Sequence, residues 1–176
     1  MIFSSLEHTG KVPFNTVFIH GIVRDSQGRK MSKSAGNGID PLEVIDQYGA
    51  DALKFTLSFL CAQGQDILID NDSFKMGSRF CNKVWNASRY ILGNLEDRNL
   101  IPVKDQELTE LDRWIYTALN KAATDAREAL DSYRYNDAAS AIYEFFWNNF
   151  CDWYVEATKL SFKHGDDHEK DRQISV

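Results

Sequence analysis

Apolar residues change their period near residue 72 of this chain. Before that point, short apolar runs alternate with glycine-rich turns. After it, apolar residues recur at steps of three and four through three long stretches. Met1 to Phe14 reads as the last turns of a helix without a clean cap. Thr16-Val17-Phe18-Ile19-His20 is β-branched and aromatic and predicts a strand. Gly21-Ile22-Val23 continues it into a hairpin arm, with Asp25-Ser26-Gln27-Gly28 as the turn. Asp40-Pro41 opens a short helix over 42–47, and Gly49 separates it from a second, about 50–60. Leu53, Leu57 and Leu60 share one face of that second helix, and 66–70 predicts a short strand.

Three helices follow. The first is predicted over about 73–95, capped by Asp72 or Ser73, with Met76, Phe80, Cys81, Val84, Ser88, Ile91 and Leu92 as its buried stripe. The second runs over about 109–133, burying Leu111, Ile115, Leu119, Ala122, Ala126 and Ala129 or Leu130. The third runs over about 137–162, capped by Asn136, with Ala139, Ile142, Phe146, Phe150, Trp153, Ala157 and Leu160 as its seam. A second row on it, Tyr143, Trp147 and Tyr154, reads as core packing rather than a base-stacking surface. Residues 164–176 are charged without an apolar period and read as a frayed tail. His164 and His168 belong to it and are not taken as a metal site.

The predicted fold is therefore mainly α. An antiparallel helical bundle (73–163) is preceded by a small α/β segment (1–72: strand, loop, helix, helix, strand) and followed by a charged tail (164–176). The α/β segment has too few elements to bury a core alone and is expected to be the end of a larger domain lying before Met1.

Composition narrows the class. The chain has 176 residues, is 43% hydrophobic and 26% charged, and has no run long enough to cross a membrane. Cys61, Cys81 and Cys151 are odd in number and lack CxxC spacing, so they point to free thiols in a reducing, cytoplasmic setting. The net charge of −6 argues against nucleic acid by its sum but not by its distribution. Between Ser73 and Leu95 there are four bases (Lys75, Arg79, Lys83, Arg89) and no acid. With Asn86 and Tyr90 they form a stripe that is either a solvated face or an anion-binding surface.

The other cationic stretch is Lys30-Met31-Ser32-Lys33-Ser34, set among Arg24, Arg29 and the single acid Asp25. Gly28, Gly36 and Gly38 loosen the backbone, while Ser32, Ser34 and Asn37 add hydrogen-bonding groups. Such a loop suits a phosphate, around which backbone N–H groups and lysine charges can close; the P-loop spacing is absent.

The stretch from His20-Gly21 through Lys30-Met31-Ser32-Lys33-Ser34 to Asp40-Pro41 resembles the signature loop of class I aminoacyl-tRNA synthetases. The segments 82–89, 111–115 and 145–156 resemble the anticodon-binding helical domain of the valyl-tRNA synthetase family, and Tyr48-Gly49-Ala50-Asp51 and Gly64-Gln65-Asp66-Ile67 are similar to other stretches of the same family. Isoleucyl- and leucyl-tRNA synthetases share the loop but are not expected to carry Trp85-Asn86-Ala87-Ser88-Arg89 or Phe150-Cys151-Asp152-Trp153-Tyr154 in this form. The resemblance covers about 13–159.

That resemblance implies ATP-dependent attachment of valine to tRNA(Val) by a monomeric, membrane-free enzyme, with Mg2+ accompanying ATP. It implies that Lys33 is the principal ATP contact, Lys30 a helper, and Ser32, Ser34 and Gly36 the residues that shape the loop. Lys75, Arg79, Lys83, Trp85, Asn86 and Arg89 are expected to face the RNA. The family's His-Ile-Gly-His motif is not in this sequence, so the chain is expected to be a fragment that does not form the adenylate alone. The runner-up readings are an isoleucyl-tRNA synthetase fragment, a stand-alone RNA-binding helical module and a purely structural helical protein.

Overall fold

The computed structural model describes residues 1–32, 34–95, 100, 102 and 107–176. Its elements run α1 (Ile2–Thr9), β1 (Val23–Arg24), α2 (Pro41–Tyr48), α3 (Ala50–Leu60), β2 (Ile67–Leu68), α4 (Phe74–Leu95) and α5 (Glu110–Asp131). A third long helix then runs without a break through α6 (Tyr135–Glu144), a π-helical stretch (Phe145–Val155) and α7 (Glu156–His164). A last helix, α8, spans Asp167–Ser175.

Local chemistry explains most boundaries. The Asp40 carboxylate accepts from the Leu42 amide and Pro41 sits at the first helical position, so α2 starts there. Thr109 and Asp112 form a capping box that starts α5. Ser73 exchanges hydrogen bonds with Asp70 ahead of α4, its hydroxyl accepting from the Asp70 amide at 3.1 Å. The third helix starts at Tyr135 rather than after an Asn136 cap, because Tyr133 takes a positive φ of 58° and the chain turns two residues earlier.

The strand predicted at 16–20 does not form: Val17 and Ile19 are exposed and pair with nothing among the described residues. Phe18 instead packs edge-on against Tyr135 at 5.3 Å. The ladder lies further on, where β1 pairs in parallel with β2, Val23 opposite Ile67 and Arg24 opposite Leu68. A strand needs a partner for its N–H and C=O groups, and in these residues only 22–24 meets one.

Two cores meet. Val44, Ile67, Ile69 and Phe74 are buried together, with Met31 and Leu57 packed against them. The second core is aromatic: Phe80 of α4 stacks on Phe55 of α3 at 4.4 Å and meets Tyr143 of α6 at 5.2 Å. The two are joined where α3 crosses α4. A Cβ added to Gly77 would lie 2.4 Å from Thr56 Oγ1 and 2.5 Å from the Ala52 carbonyl, so only glycine permits this approach.

The α4 stripe is rotated from the expected one. Phe74, Gly77, Phe80 and Ala87 are buried, while Ser88 and Leu92 are exposed. The third helix departs further. The predicted seam assumes 3.6 residues per turn throughout, but the i→i+5 bonding of 145–155 winds more loosely and shifts the buried face. Cys151, Tyr154, Val155 and Thr158 are buried, whereas Trp153 and Leu160 point outward.

The expected frayed tail is also corrected. Residues 167–175 form α8, capped by the Asp166 carboxylate accepting from the Glu169 amide. It docks by polar contacts, which a search for apolar periodicity does not detect. Gln173 is buried and donates to the Tyr154 hydroxyl at 2.6 Å; that hydroxyl donates to Asp112 at 3.0 Å. Arg172 reaches the other Asp112 oxygen. Burial pushes the Asp112 carboxyl up, but the Thr109 hydroxyl and amide, Arg172 and Tyr154 outweigh it and hold the group charged.

Two outcomes follow from this packing. Gly77→Val should destabilise the chain by about 1–3 kcal/mol in urea titration, because backbone rather than a flexible side chain is struck. Tyr154→Phe should cost about 1–3 kcal/mol, since it leaves buried partners on both sides of the lost hydroxyl, and should speed amide exchange in α8 before the rest of the bundle.

Candidate functional site

The cationic loop begins where β1 ends. The chain turns over 25–28, with the Gly28 amide donating to the Asp25 carbonyl at 2.8 Å, and returns to bring Lys30 opposite Arg24. Gly28 has a φ of +75°, which this reversal requires. Met31 then enters the first core and fixes the middle of the loop to the fold. Beyond it the Ser32 hydroxyl accepts from the Ala35 amide at 3.1 Å and lies 3.3 Å from the Ser34 hydroxyl, and Gly36 takes a φ of +63°. Lys33, the principal candidate for ATP contact, lies outside the described residues.

The arginines of the stretch are occupied internally. Arg24 pairs with Asp66, and Arg29 pairs with Asp25 at 2.8 Å. Lys30 is exposed and has no acid partner among the described residues. Asp25 is buried and accepts from the amides of Gln27 and Arg29, from the Arg29 guanidinium and from the Asn37 side chain at 2.9 Å. The Asn37 bond above all, then the Arg29 amide and guanidinium, draws its carboxyl down to about 2 against the opposing effect of burial.

A cleft of about 310 Å³ lies beneath the loop, lined by Met31 and Asn37 on one side and by Asp40, Glu43 and Asp70 on the other. Those acids repel a polyphosphate in the cleft, whereas Lys30 stands exposed to solvent.

The second candidate surface is on α4, and the structure divides it. Lys75 is paired with Asp72 at 2.7 Å, which raises its pKa. Lys83 is paired with Asp152 of the π stretch at 2.6 Å, raising its pKa, and lies over the Trp147 ring at 4.9 Å. Arg79, Asn86 and Arg89 are exposed, and neither arginine has an acid partner among the described residues. Trp85 is 67% exposed, an unusual position for a tryptophan. The stripe without acids thus becomes two compensated lysines and two arginines without an acid partner among the described residues. Asp152 could not be found by spacing, because it is 69 residues from Lys83. A groove of about 210 Å³ runs beside it, bordered by Asn86 and Tyr90 of α4 and by Glu156 and Lys159 of α7.

Two family descriptions match this chain: tRNA synthetases class I (I, L, M and V) over residues 1–70, and the anticodon-binding domain of tRNA ligase over residues 112–176. The loop thus falls in the first and the third helix and α8 in the second. The chain belongs to the class I aminoacyl-tRNA synthetases. Within them it is similar to valine-tRNA ligases: 67% identical to that of Treponema denticola and 65% identical to that of Treponema pallidum, in each case over all of this chain. The Thermotoga maritima enzyme is 52% identical over 93% of it. The chain spans about a fifth of the length of these relatives, 20%, 18% and 19% respectively. The fold is that of a solved LeuRS from Agrobacterium radiobacter K84, determined in a ternary complex with tRNA and LeuAMS. The TM-score is 0.68 at 22% identity, covering 99% of this chain and 22% of that one.

The depressed Asp25 pKa has a direct consequence. A carboxyl titrating below its ordinary 3.8 contributes stability that is complete above 3.8 and is lost as pH falls toward about 2. Carbon-detected NMR should place the Asp25 midpoint near 2, and Asn37→Ala should move it upward toward 3.8.

Proposed function

We propose that this chain is a segment of a cytoplasmic enzyme that attaches valine to tRNA(Val) using ATP, and that it supplies the nucleotide-facing loop and an RNA-binding bundle. In that reaction a valine carboxylate oxygen bonds to the α-phosphorus of ATP and pyrophosphate leaves. The valyl group then passes from AMP to a hydroxyl at the 3′ end of the tRNA. Lys33 by its place in the motif, and Lys30 by its exposure, meet the charge that gathers on the leaving pyrophosphate, an electrostatic role rather than acid–base catalysis. Magnesium accompanies the nucleotide, and Ser32, Ser34 and Gly36 give the loop its turn.

Residues 1–72 are assigned to the catalytic side and residues from 73 onward to the tRNA side, with α8 part of the bundle. This chain carries no pocket assigned to valine and no second ATP motif, so it is not expected to form the adenylate by itself. The parent enzyme is taken to be a monomer.

The observation that carries the reading is the pair of exposed arginines on α4, Arg79 and Arg89, which have no acid partner among the described residues and lie beside the exposed Trp85 and Asn86. Arginines free of acid partners hold phosphates, and an exposed indole and a side-chain amide suit an unstacked base. Lys75 and Lys83 are less available, because Asp72 and Asp152 already hold them. Among the described residues no helix is long and apolar enough to cross a membrane.

Titrating this chain with tRNA(Val) over a range of salt tests the assignment. Arg89→Glu or Arg79→Glu should weaken binding and reduce the salt slope by about 0.7–0.9 for each phosphate no longer neutralised. Lys75→Glu should have a smaller effect. Unchanged slopes in both arginine variants would remove α4 from the interface.

A further inference from the structure

Asn37 makes more distinct connections across the loop than any role in shaping a turn demands. Its amide nitrogen donates to the buried Asp25 carboxylate at 2.9 Å and to the Lys30 carbonyl at 3.3 Å. Its amide oxygen accepts from the Ser32 backbone at 3.0 Å. One side chain therefore grips the chain on both sides of Met31 and ties it to an anchor twelve residues back. The anchor is itself immobilised, since Asp25 takes donors from Gln27 and Arg29 and is closed off from solvent.

Beyond Met31 the described loop residues are small, Ser32, Ser34, Ala35 and Gly36, and offer little packing of their own. Ser34, Ala35 and Gly36 are exposed, and among the described residues of 30–36 only Met31 packs on the core. Met31 fixes where the loop sits; it does not fix how the backbone on either side of it is oriented, and that orientation aims Lys30.

We propose that Asn37 is a positioning residue: clasped to Asp25, it holds the backbone on both sides of Met31 in the orientation that presents Lys30 to the phosphates of the nucleotide. The proposal rests on the reading of that loop as the nucleotide-facing element. Asparagine is suited to the place because it alone offers a donor pair and an acceptor at this length. Aspartate loses both donors and faces a second carboxylate, alanine loses all three bonds, and glutamine is one methylene too long. The charged groups facing the clasp are Arg29, which pairs with Asp25, and Asp40, Glu43 and Asp70 across the cleft. The three acids disfavour any further negative charge at position 37.

The test uses Asn37→Ala and Asn37→Asp with two readouts. In this chain, amide exchange at Ser32 should accelerate at least tenfold in both variants, while amides of α3 such as Thr56 keep their protection. In the full-length enzyme carrying the same substitutions, ATP–pyrophosphate exchange should lose at least tenfold in kcat with the KM for valine unchanged. A merely structural role would move the α3 amides and the valine KM as well. Unchanged Ser32 exchange overturns the clasp. Accelerated exchange with unchanged kcat overturns its positioning role. The nucleotide reading is checked separately by Lys30→Ala and Lys33→Ala. If those leave kcat intact while Ser32 still responds to Asn37, the clasp stands as a feature of the loop and the catalytic assignment falls.

Discussion

The close crossing of α3 over α4 holds the two halves of the molecule together. Ala52 and Thr56 are buried against Gly77, and a side chain at 77 would strike both. α3 belongs to the body that carries the cationic loop, and α4 carries the exposed Arg79 and Arg89. Their contact, extended by the stacked Phe55 and Phe80, makes one continuous core from the loop to the bundle. The exposed Lys30 and the exposed Arg79 and Arg89 are thereby carried on one packed body.

Charge is organised on the same principle of internal compensation. The chain carries a net −6, yet several of its acids are spent on cations that support the fold. Asp66 takes Arg24, Asp25 takes Arg29, Asp152 takes Lys83 and Asp112 takes Arg172. Lys30, Arg79 and Arg89 are among the exposed cations without an acid partner in the described residues, and they lie on the two surfaces proposed to hold phosphate. Exposed ion pairs such as Lys75–Asp72 add little to stability, whereas the buried Asp112 network, with both carboxylate oxygens satisfied, is costly to break on one side.

Much of this is legible in the sequence, and the exceptions share a cause. The bounds of α2, α3, α4 and α5 follow from Asp40-Pro41, Gly49, Asp72-Ser73 and Thr109 because caps and glycines act locally. The loop is visible from its composition. What periodicity misses depends on partners distant in the chain. Residues 16–20 have the composition of a strand and no neighbour to pair with. A seam through Trp153 and Leu160 requires a uniform helix, and nothing in periodicity announces a π stretch. α8 escapes detection because it docks through Arg172 and Gln173 rather than through an apolar face. The α4 stripe reads as four equal bases because its acids, Asp72 and Asp152, lie outside that helix.

If the bundle engages tRNA through its own surface rather than serving as a spacer, this chain alone should discriminate between anticodons. The decisive experiment is a binding titration of the chain with tRNA(Val) and with the same tRNA carrying a swapped anticodon, each at two salt concentrations. A clear loss of affinity on the swap, persisting at both salts, is expected. Equal affinity for the two RNAs, falling together as salt rises, would contradict the assignment and reduce the interaction to nonspecific phosphate binding.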